Sequence, residues 1–298
     1  MWLAIWVLIL AGVLSRPASA GPVTADGARV VRLADGFAFT EGPTCAPDGA
    51  VYFTDQPNDR ILVWSADGKL STLLQPCGRA NGLCFDATGT LWACADEAGE
   101  LWAIDVRTKK VKSTVKRFGD GPRLNGPNDL WAHRDGSLYL TDPYYRRPYW
   151  SHSAQPRAKQ AVYRVDRDGK TVTCVADDLV QPNGIIGSPD GKTLYVAEIG
   201  AGKTYAYRIA ADGSLADKRL FCSMGSDGMT LDVEGNVYLT GRGVTVFDRE
   251  GRQIEQIAVP EGWTSNVCFG GRDRKTLFIT AGKALYSIGM RVKGAGSQ

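Results

Sequence analysis

Residues 41–55 read EGPTCAPDGAVYFTD, and the pattern of this stretch returns five more times along the chain. A polar residue, usually followed by Gly, opens each copy. A few apolar residues, an acidic or glycine turn, an alternating run and usually a final carboxylate follow. The copies open at Glu41, Asn81, Asn128, Asn183, Asp227 and Asn266. Their turns and second runs read PDGAVYFTD, ATGTLWACAD, RDGSLYLTD, PDGKTLYVAE, VEGNVYLTG and RDRKTLFITA. Successive openings lie 39 to 55 residues apart, the range in which one repeat is one supersecondary unit.

Each repeat continues into a third run, seen as RILVWSADGK, ELWAIDVRTKK, AVYRVDRDGK, TYAYRIAADGS, VTVFDREGR and ALYSIGMRVK, and most supply a fourth, such as LSTLLQ or VTCVAD. Apolar and polar residues alternating across Asp-Gly and Glu-Gly turns are the signal of antiparallel hairpins. Four strands per unit make a propeller blade. The expected fold is therefore all-β, a six-bladed β-propeller with four-stranded antiparallel blades. The sixth unit ends after its third strand, and residues 28–34, ARVVRLA, have the pattern of the outer strand it lacks. This N-terminal strand is expected to close the ring. Self-similarity to the C-terminus makes residues 21–298 a single domain, although length alone would suggest two.

Composition is that of an ordinary globular chain, 44% hydrophobic and 22% charged, with a net charge of +3. So small a charge argues against nucleic acid or an acidic membrane surface as partner. Residues 2–14 form an apolar run followed by Arg16 and the small-residue site Ala18-Ser19-Ala20, which together read as a signal peptide over residues 1–20. The run is short for a bilayer span. The expectation is export, periplasmic or secreted, with no stable membrane association after cleavage; the lack of Lys or Arg before the run leaves an uncleaved anchor as the alternative. The seven cysteines fall mostly in strand patterns, are odd in number and form no CxxC or Cys/His spacing, which argues against a disulfide framework or structural zinc.

In a propeller the first strand of each blade lines the central channel, so the six opening residues converge at one mouth of it. The carboxylates that end second strands, Asp55, Asp96, Asp142 and Glu198, return to the same face as an outer ring. One reading of the openings is turn chemistry, since Asn and Asp bond their own backbone and Gly tolerates positive φ. That reading does not account for Glu41, or for Asn128, which is followed by Asp129. Several carboxylates and carboxamides at one mouth repel or stay unpaired unless something binds them, and a cation satisfies them all.

These residues resemble the gluconolactonase, senescence marker protein and luciferin-regenerating enzyme family of six-bladed propellers with a divalent ion in the channel. The resemblance rests on FTEGP at 39–43, RLNGPNDL at 123–130 with LTDP at 140–143, QPNGI at 181–185 and SDGMTLD at 226–232. It implies that Glu41, Asn128, Asn183 and Asp227 hold the metal. Mammalian-type members carry an Arg two residues before the Asn matched by Asn128; here that position is Gly126, and Arg123 or the Arg146-Arg147 pair is the replacement.

Two carboxylates and two carboxamide oxygens form a hard site that suits Ca²⁺ first, then Mg²⁺ or Mn²⁺, and Zn²⁺ less well. Such an ion polarises a carbonyl and stabilises a developing oxyanion, and Asp227 is the expected general base toward the attacking water. The expected activity is metal-dependent opening of a small-molecule sugar lactone. The expected substrate contacts are Asn128, Asp142, Arg123, Tyr145 and His152. Blade three owes its extra length to residues 143–159, PYYRRPYWSHSAQPRAK, read as a lid whose Tyr144, Tyr145, Tyr149 and Trp150 stack on a sugar, with a self-packed loop or an interface as the alternative. Two histidines and the absence of HExxH, GxSxG or a phosphate-cradling loop leave zinc-protease, serine-hydrolase and nucleotide chemistry without support. The remaining rivals are an organophosphate or other ester hydrolase on the same site, and a non-catalytic, metal-dependent carbohydrate-binding propeller.

Overall fold

The computed structural model describes residues 22–116 and 122–296; the signal peptide expected over residues 1–20 lies outside them. The hairpins assemble into six four-stranded antiparallel sheets arranged as blades. Blade one holds β2 (Thr40–Cys45), β3 (Val51–Asp55), β4 (Arg60–Trp64) and β5 (Leu70–Leu74), and blade two β6 (Ala80–Phe85), β7 (Leu91–Ala95), β8 (Glu100–Asp105) and β9 (Lys110–Val115). Blade three holds β10 (Leu130–Ala132), β11 (Leu138–Asp142), β12 (Ala161–Val165) and β13 (Val172–Ala176), and blade four β14 (Pro182–Gly187), β15 (Thr193–Glu198), β16 (Lys203–Ile209) and β17 (Leu215–Cys222). Blade five holds β18 (Met229–Leu231), β19 (Val237–Gly241), β20 (Gly243–Phe247) and β21 (Gln253–Ile257).

Blade six is built from β22 (Thr264–Gly270), β23 (Thr276–Ala281), β24 (Ala284–Gly289) and, outermost, β1 (Val31–Asp35), which pairs antiparallel with β24. The N-terminal strand thus closes the ring, as the sequence requires. The chain before it is also tied down. Glu255 of β21 accepts hydrogen bonds from the Val23 amide at 2.6 Å and the Thr24 hydroxyl at 2.5 Å, and Arg291 donates its amide to the Val23 carbonyl at 2.9 Å.

Side chains alternate between the two faces of a strand, and inner strands such as β2, β6, β11, β19 and β22 are buried at every residue, so both faces of a blade carry side chains to a neighbour. Six buried clusters result, one at each junction between consecutive blades. Ile61 and Leu73 of blade one, for example, meet Leu83, Phe85 and Leu91 of blade two. Truncating a fully buried member such as Leu91 to Ala costs about 2–5 kcal/mol. All seven cysteines are free thiols; six are buried, five of them in strands and Cys77 between β5 and β6.

At the axis the first strands of adjacent blades touch, and the glycine after the opening residue permits it. Gly82, Gly184 and Gly228 lack a left-handed φ, so turn geometry does not require them. A Cβ at Gly184 would lie 2.9 Å from the Asp227 carbonyl, and one at Gly228 would lie 1.9 Å from the Asn266 side chain. These glycines let neighbouring backbones approach, which places the opening residues side by side.

Candidate functional site

Two further devices hold the opening residues in place. A threonine near the end of a second strand donates its hydroxyl to the next blade: Thr54 to the Asn81 carbonyl at 3.0 Å, Thr141 to the Asn183 carbonyl at 2.7 Å. The carboxylate after it pins the chain entering its own blade. Asp55 accepts from the Ala38 and Phe39 amides at 3.0 and 3.2 Å, Asp142 from the Asn125 and Gly126 amides at 3.0 and 2.9 Å, and Glu198 from the Val180 amide. Each pinned segment runs directly into Glu41, Asn128 or Asn183. Three of the four expected outer-ring carboxylates are therefore spent on backbone. Asp96 is the exception, because Asp59 of blade one holds the corresponding segment through the Cys77 and Arg79 amides at 2.9 and 2.7 Å.

Glu41, Asn128 and Asn183 are buried at the axis, and Asp227 is half-buried beside them. Asn183 donates from Nδ2 to Asp227 Oδ1 at 2.9 Å and to the Tyr145 hydroxyl at 2.8 Å. Those two acceptors fix the orientation of its carboxamide. Glu41 Oε2 accepts from the Gly42 amide at 2.8 Å and from Asn266 Nδ2 at 3.3 Å. The carboxamide of Asn128 has no hydrogen-bond partner among the described residues. Burial raises the Glu41 pKa well above the ordinary value, and the nearby Asp227 charge adds to it. Burial likewise raises Asp227 to about 6, against the lowering effect of Trp263, Asn183 and Arg147.

This donor set fits a hard divalent cation. Asn183 Oδ1 is buried and without a hydrogen-bond partner, although a buried carboxamide oxygen ordinarily finds one. The Glu41 and Asp227 carboxyls lie within electrostatic reach of each other and raise the cost of ionising Glu41, a repulsion that a cation bound between them relieves. Among the described residues no group of three or more His, Cys, Asp or Glu is placed to hold a metal, so the set depends on its carboxamides.

The structure divides the expected substrate contacts. Asn128 and Tyr145 lie at the ligand set, Tyr145 through its bond to Asn183. Asp142 is fully buried beneath the 123–128 segment, both oxygens taken by backbone amides, and burial pushes its pKa to about 7. Arg123 donates to the Glu97 carbonyl at 2.9 Å. His152 stacks on Trp150 at 4.8 Å, and burial with the Arg123 charge lowers its pKa. Arg123 and His152 thus belong to the Asp96 side of the mouth rather than to the ligand set.

Residues 143–159 fold inward over the mouth. Trp150 is buried, donates Nε1 to the Asp96 carbonyl at 3.2 Å and packs near Tyr144, Tyr149 and His152. Tyr149 donates its hydroxyl to Asp96 Oδ2, and Arg147 Nε lies 3.5 Å from the same oxygen. Asn125 fastens the far end, accepting from the Arg157 amide at 2.8 Å and donating to the Lys159 carbonyl at 2.9 Å. Of the four aromatics expected to stack on a sugar, Trp150 and Tyr149 are occupied in holding the loop. Tyr145 alone contacts a candidate ligand.

Two contributors escaped the sequence reading. Trp263 donates Nε1 to Asp227 Oδ2 at 2.7 Å while 40% exposed, which orients the carboxylate from the rim. Asp129 is buried beneath the set with its pKa raised to about 7, first by burial. Neither carries a repeat-wide signal, since no other blade has Trp three residues before its opening residue or Asp directly after it.

The SMP-30/Gluconolactonase/LRE-like region matches residues 39–283. The chain is 26% identical over 279 residues to a gluconolactonase of Zymomonas mobilis, covering 84% of this chain and 78% of that one. It is 30% identical over 224 residues to lactonohydrolase oryL of Aspergillus oryzae, covering 65% of this chain and about half, 51%, of the fungal protein. Among solved structures, a gluconolactonase of Xanthomonas campestris superposes with a TM-score of 0.84 at 34% identity, covering 90% of this chain and 91% of that one.

Proposed function

This chain belongs to the SMP-30/gluconolactonase/LRE-like family, and from that premise we propose that it is a metal-dependent hydrolase that opens a sugar lactone at the mouth of its propeller channel. The observation that carries the reading is the Asn183–Asp227 pair beside Glu41, with the unpartnered Asn183 oxygen turned into the set. Glu41, Asn128, Asn183 and Asp227 are the residues that would hold a divalent cation, Ca²⁺ first by ligand chemistry. When bound, the cation supplies Lewis-acid polarisation of the lactone carbonyl.

The chain's own residues perform the remaining steps. Asp227 takes a proton from the attacking water as the water oxygen bonds to the carbonyl carbon. Trp263 and Asn183 hold that carboxylate in a fixed direction through one hydrogen bond to each oxygen. The ring carbon–oxygen bond then breaks, and the proton passes to the departing ring oxygen, which gives the free hydroxy acid. The Tyr145 hydroxyl and the Asn128 carboxamide bind the substrate's oxygens. The loop 143–159 excludes bulk water from the mouth.

Hydrolysis of glucono-1,5-lactone by the purified protein tests this reading, with chelator and then with Ca²⁺, Mg²⁺, Mn²⁺ or Zn²⁺ restored. Turnover above the spontaneous rate that disappears with chelator and returns with one ion is expected. Turnover indifferent to chelator would remove the cation from the mechanism. Export belongs to the same proposal, resting on the apolar run 2–14 and the Ala18–Ala20 site; N-terminal sequencing of the mature protein should begin near Gly21.

A further inference from the structure

Arg147 presents a guanidinium at the mouth whose one ion contact in the described residues, to Asp96, leaves most of its donors unused. None of its five donors makes a hydrogen bond among the described residues, and its Nε is buried without a partner. Its contacts are an ion contact of 3.5 Å to Asp96 Oδ2 and the ring of Tyr145 at 5.3 Å. Tyr145 in turn bonds Asn183 of the ligand set, and the Arg147 charge is felt at Asp227. A rigid fork of this kind matches a carboxylate or phosphate in bidentate fashion.

The surroundings favour an anion as the acceptor. Arg147 lines a cavity of about 460 Å³ together with exposed Arg146, Ser151 and Ser153, half-buried His152 and buried Trp150. The Nε2 atom of His152 is also buried and unpartnered. Asp96, the carboxylate that Arg147 contacts, already accepts from the Tyr149 hydroxyl. Position 126 is itself closed to a side chain, because a Cβ on Gly126 would lie 2.6 Å from Asp96 Oδ1 and 3.0 Å from the Trp150 ring. A guanidinium therefore reaches this mouth from the loop 143–159 and not from residue 126.

We infer that Arg147, supported by Arg146, is a specificity-determining residue that binds an anionic group on the end of the substrate away from the reacting carbonyl. The preferred substrates are then acidic sugar lactones bearing a terminal carboxylate or phosphate. This inference rests on the lactone-hydrolase reading for its substrate but not for its anion site, and the test separates the two.

The first arm compares turnover of neutral glucono-1,5-lactone with that of a glucarolactone, which carries a carboxylate, and of 6-phosphoglucono-1,5-lactone. The second arm measures binding of the open-chain acids D-gluconate, D-glucarate and 6-phosphogluconate by calorimetry, which requires no turnover. Wild-type protein is expected to show a KM at least about tenfold lower for one acidic lactone than for the neutral one, a difference that salt diminishes. The matching acid should bind more tightly than gluconate by a similar factor. The larger response of the carboxylate or of the phosphate compound identifies which anion the site takes. Arg147→Met should erase the preference, raising KM for the acidic lactone far more than for the neutral one, and Arg147→Lys should restore part of it. Tight binding of an acid through Arg147 without lactone turnover would uphold the anion site and sink the lactonase reading. Equal KM and equal binding for neutral and acidic compounds, or an Arg147→Met effect of the same size on both, would overturn the inference.

Discussion

Asp142 illustrates how a single residue's type is set by backbone rather than by substrate. Its two oxygens accept from the Asn125 and Gly126 amides, and those amides lead the chain into Asn128. Asp142→Asn must turn an NH₂ group toward one of these N–H donors, leaving a buried donor unpaired at a cost of about 1–3 kcal/mol. The expected result is a lower melting temperature together with weaker cation binding, because Asn128 loses its support. A variant as stable and as tight-binding as wild type would show that the carboxylate does not organise the loop. At this scale the sequence was only partly legible. Repetition identified Glu41, Asn183 and Asp227, which the structure brings to one place, because the first strands repeat and the axis gathers them. It did not distinguish Asp142, whose oxygens face backbone, from Asp96, whose Oδ2 accepts the Tyr149 hydroxyl; both end second strands with the same local pattern.

Among the elements, the loop 143–159 departs most from the repeat. Its hold on blade two passes through Tyr149 and Trp150 to Asp96, residues more than 50 positions away in sequence. Hydrogen bonds to charged groups contribute about 1.5–3 kcal/mol each. Tyr149→Phe removes one such bond, so the loop should open more often, at a loss of about a few degrees in melting temperature. Faster tryptic cleavage after Arg146, with a higher KM for lactone, is the expected outcome; unchanged cleavage would mean that the Tyr149 contact does not hold the loop down. The strands themselves were readable, since period-two alternation and Asp-Gly turns are local. The packing of this loop was not, because it depends on Gly126 leaving room for Trp150 and on Asp59 releasing Asp96 from its usual task.

Across the whole molecule, closure of the ring and burial of carboxyls determine how stability responds to conditions. Burial pushes Asp96 and Asp227 to about 6 and Asp129 and Asp142 to about 7, from an ordinary value of 3.8. The native state then retains protons that the unfolded chain releases, so the unfolding free energy falls as pH rises from about 4 through about 7. Cation-free protein should melt at a lower temperature near pH 8 than near pH 5. Added cation should raise the melting temperature more at the higher pH, because carboxylate ligands bind it in their deprotonated form. A melting temperature independent of pH would contradict the buried-carboxyl account. The six-blade count and the closing strand were both legible, because a repeat that lacks one strand at its end and carries a spare at its beginning has a single simple solution.

The most direct test of the central claim is the rate of glucono-1,5-lactone hydrolysis by Asp227→Asn, measured beside wild type with bound cation quantified in the same samples. The account predicts that cation remains bound, held by Glu41, Asn128, Asn183 and the new carboxamide, while turnover falls by roughly 10²–10⁴-fold, as loss of a general base requires. Turnover near the wild-type rate with the cation in place would contradict the assignment of Asp227 and, with it, the mechanism drawn from this channel mouth.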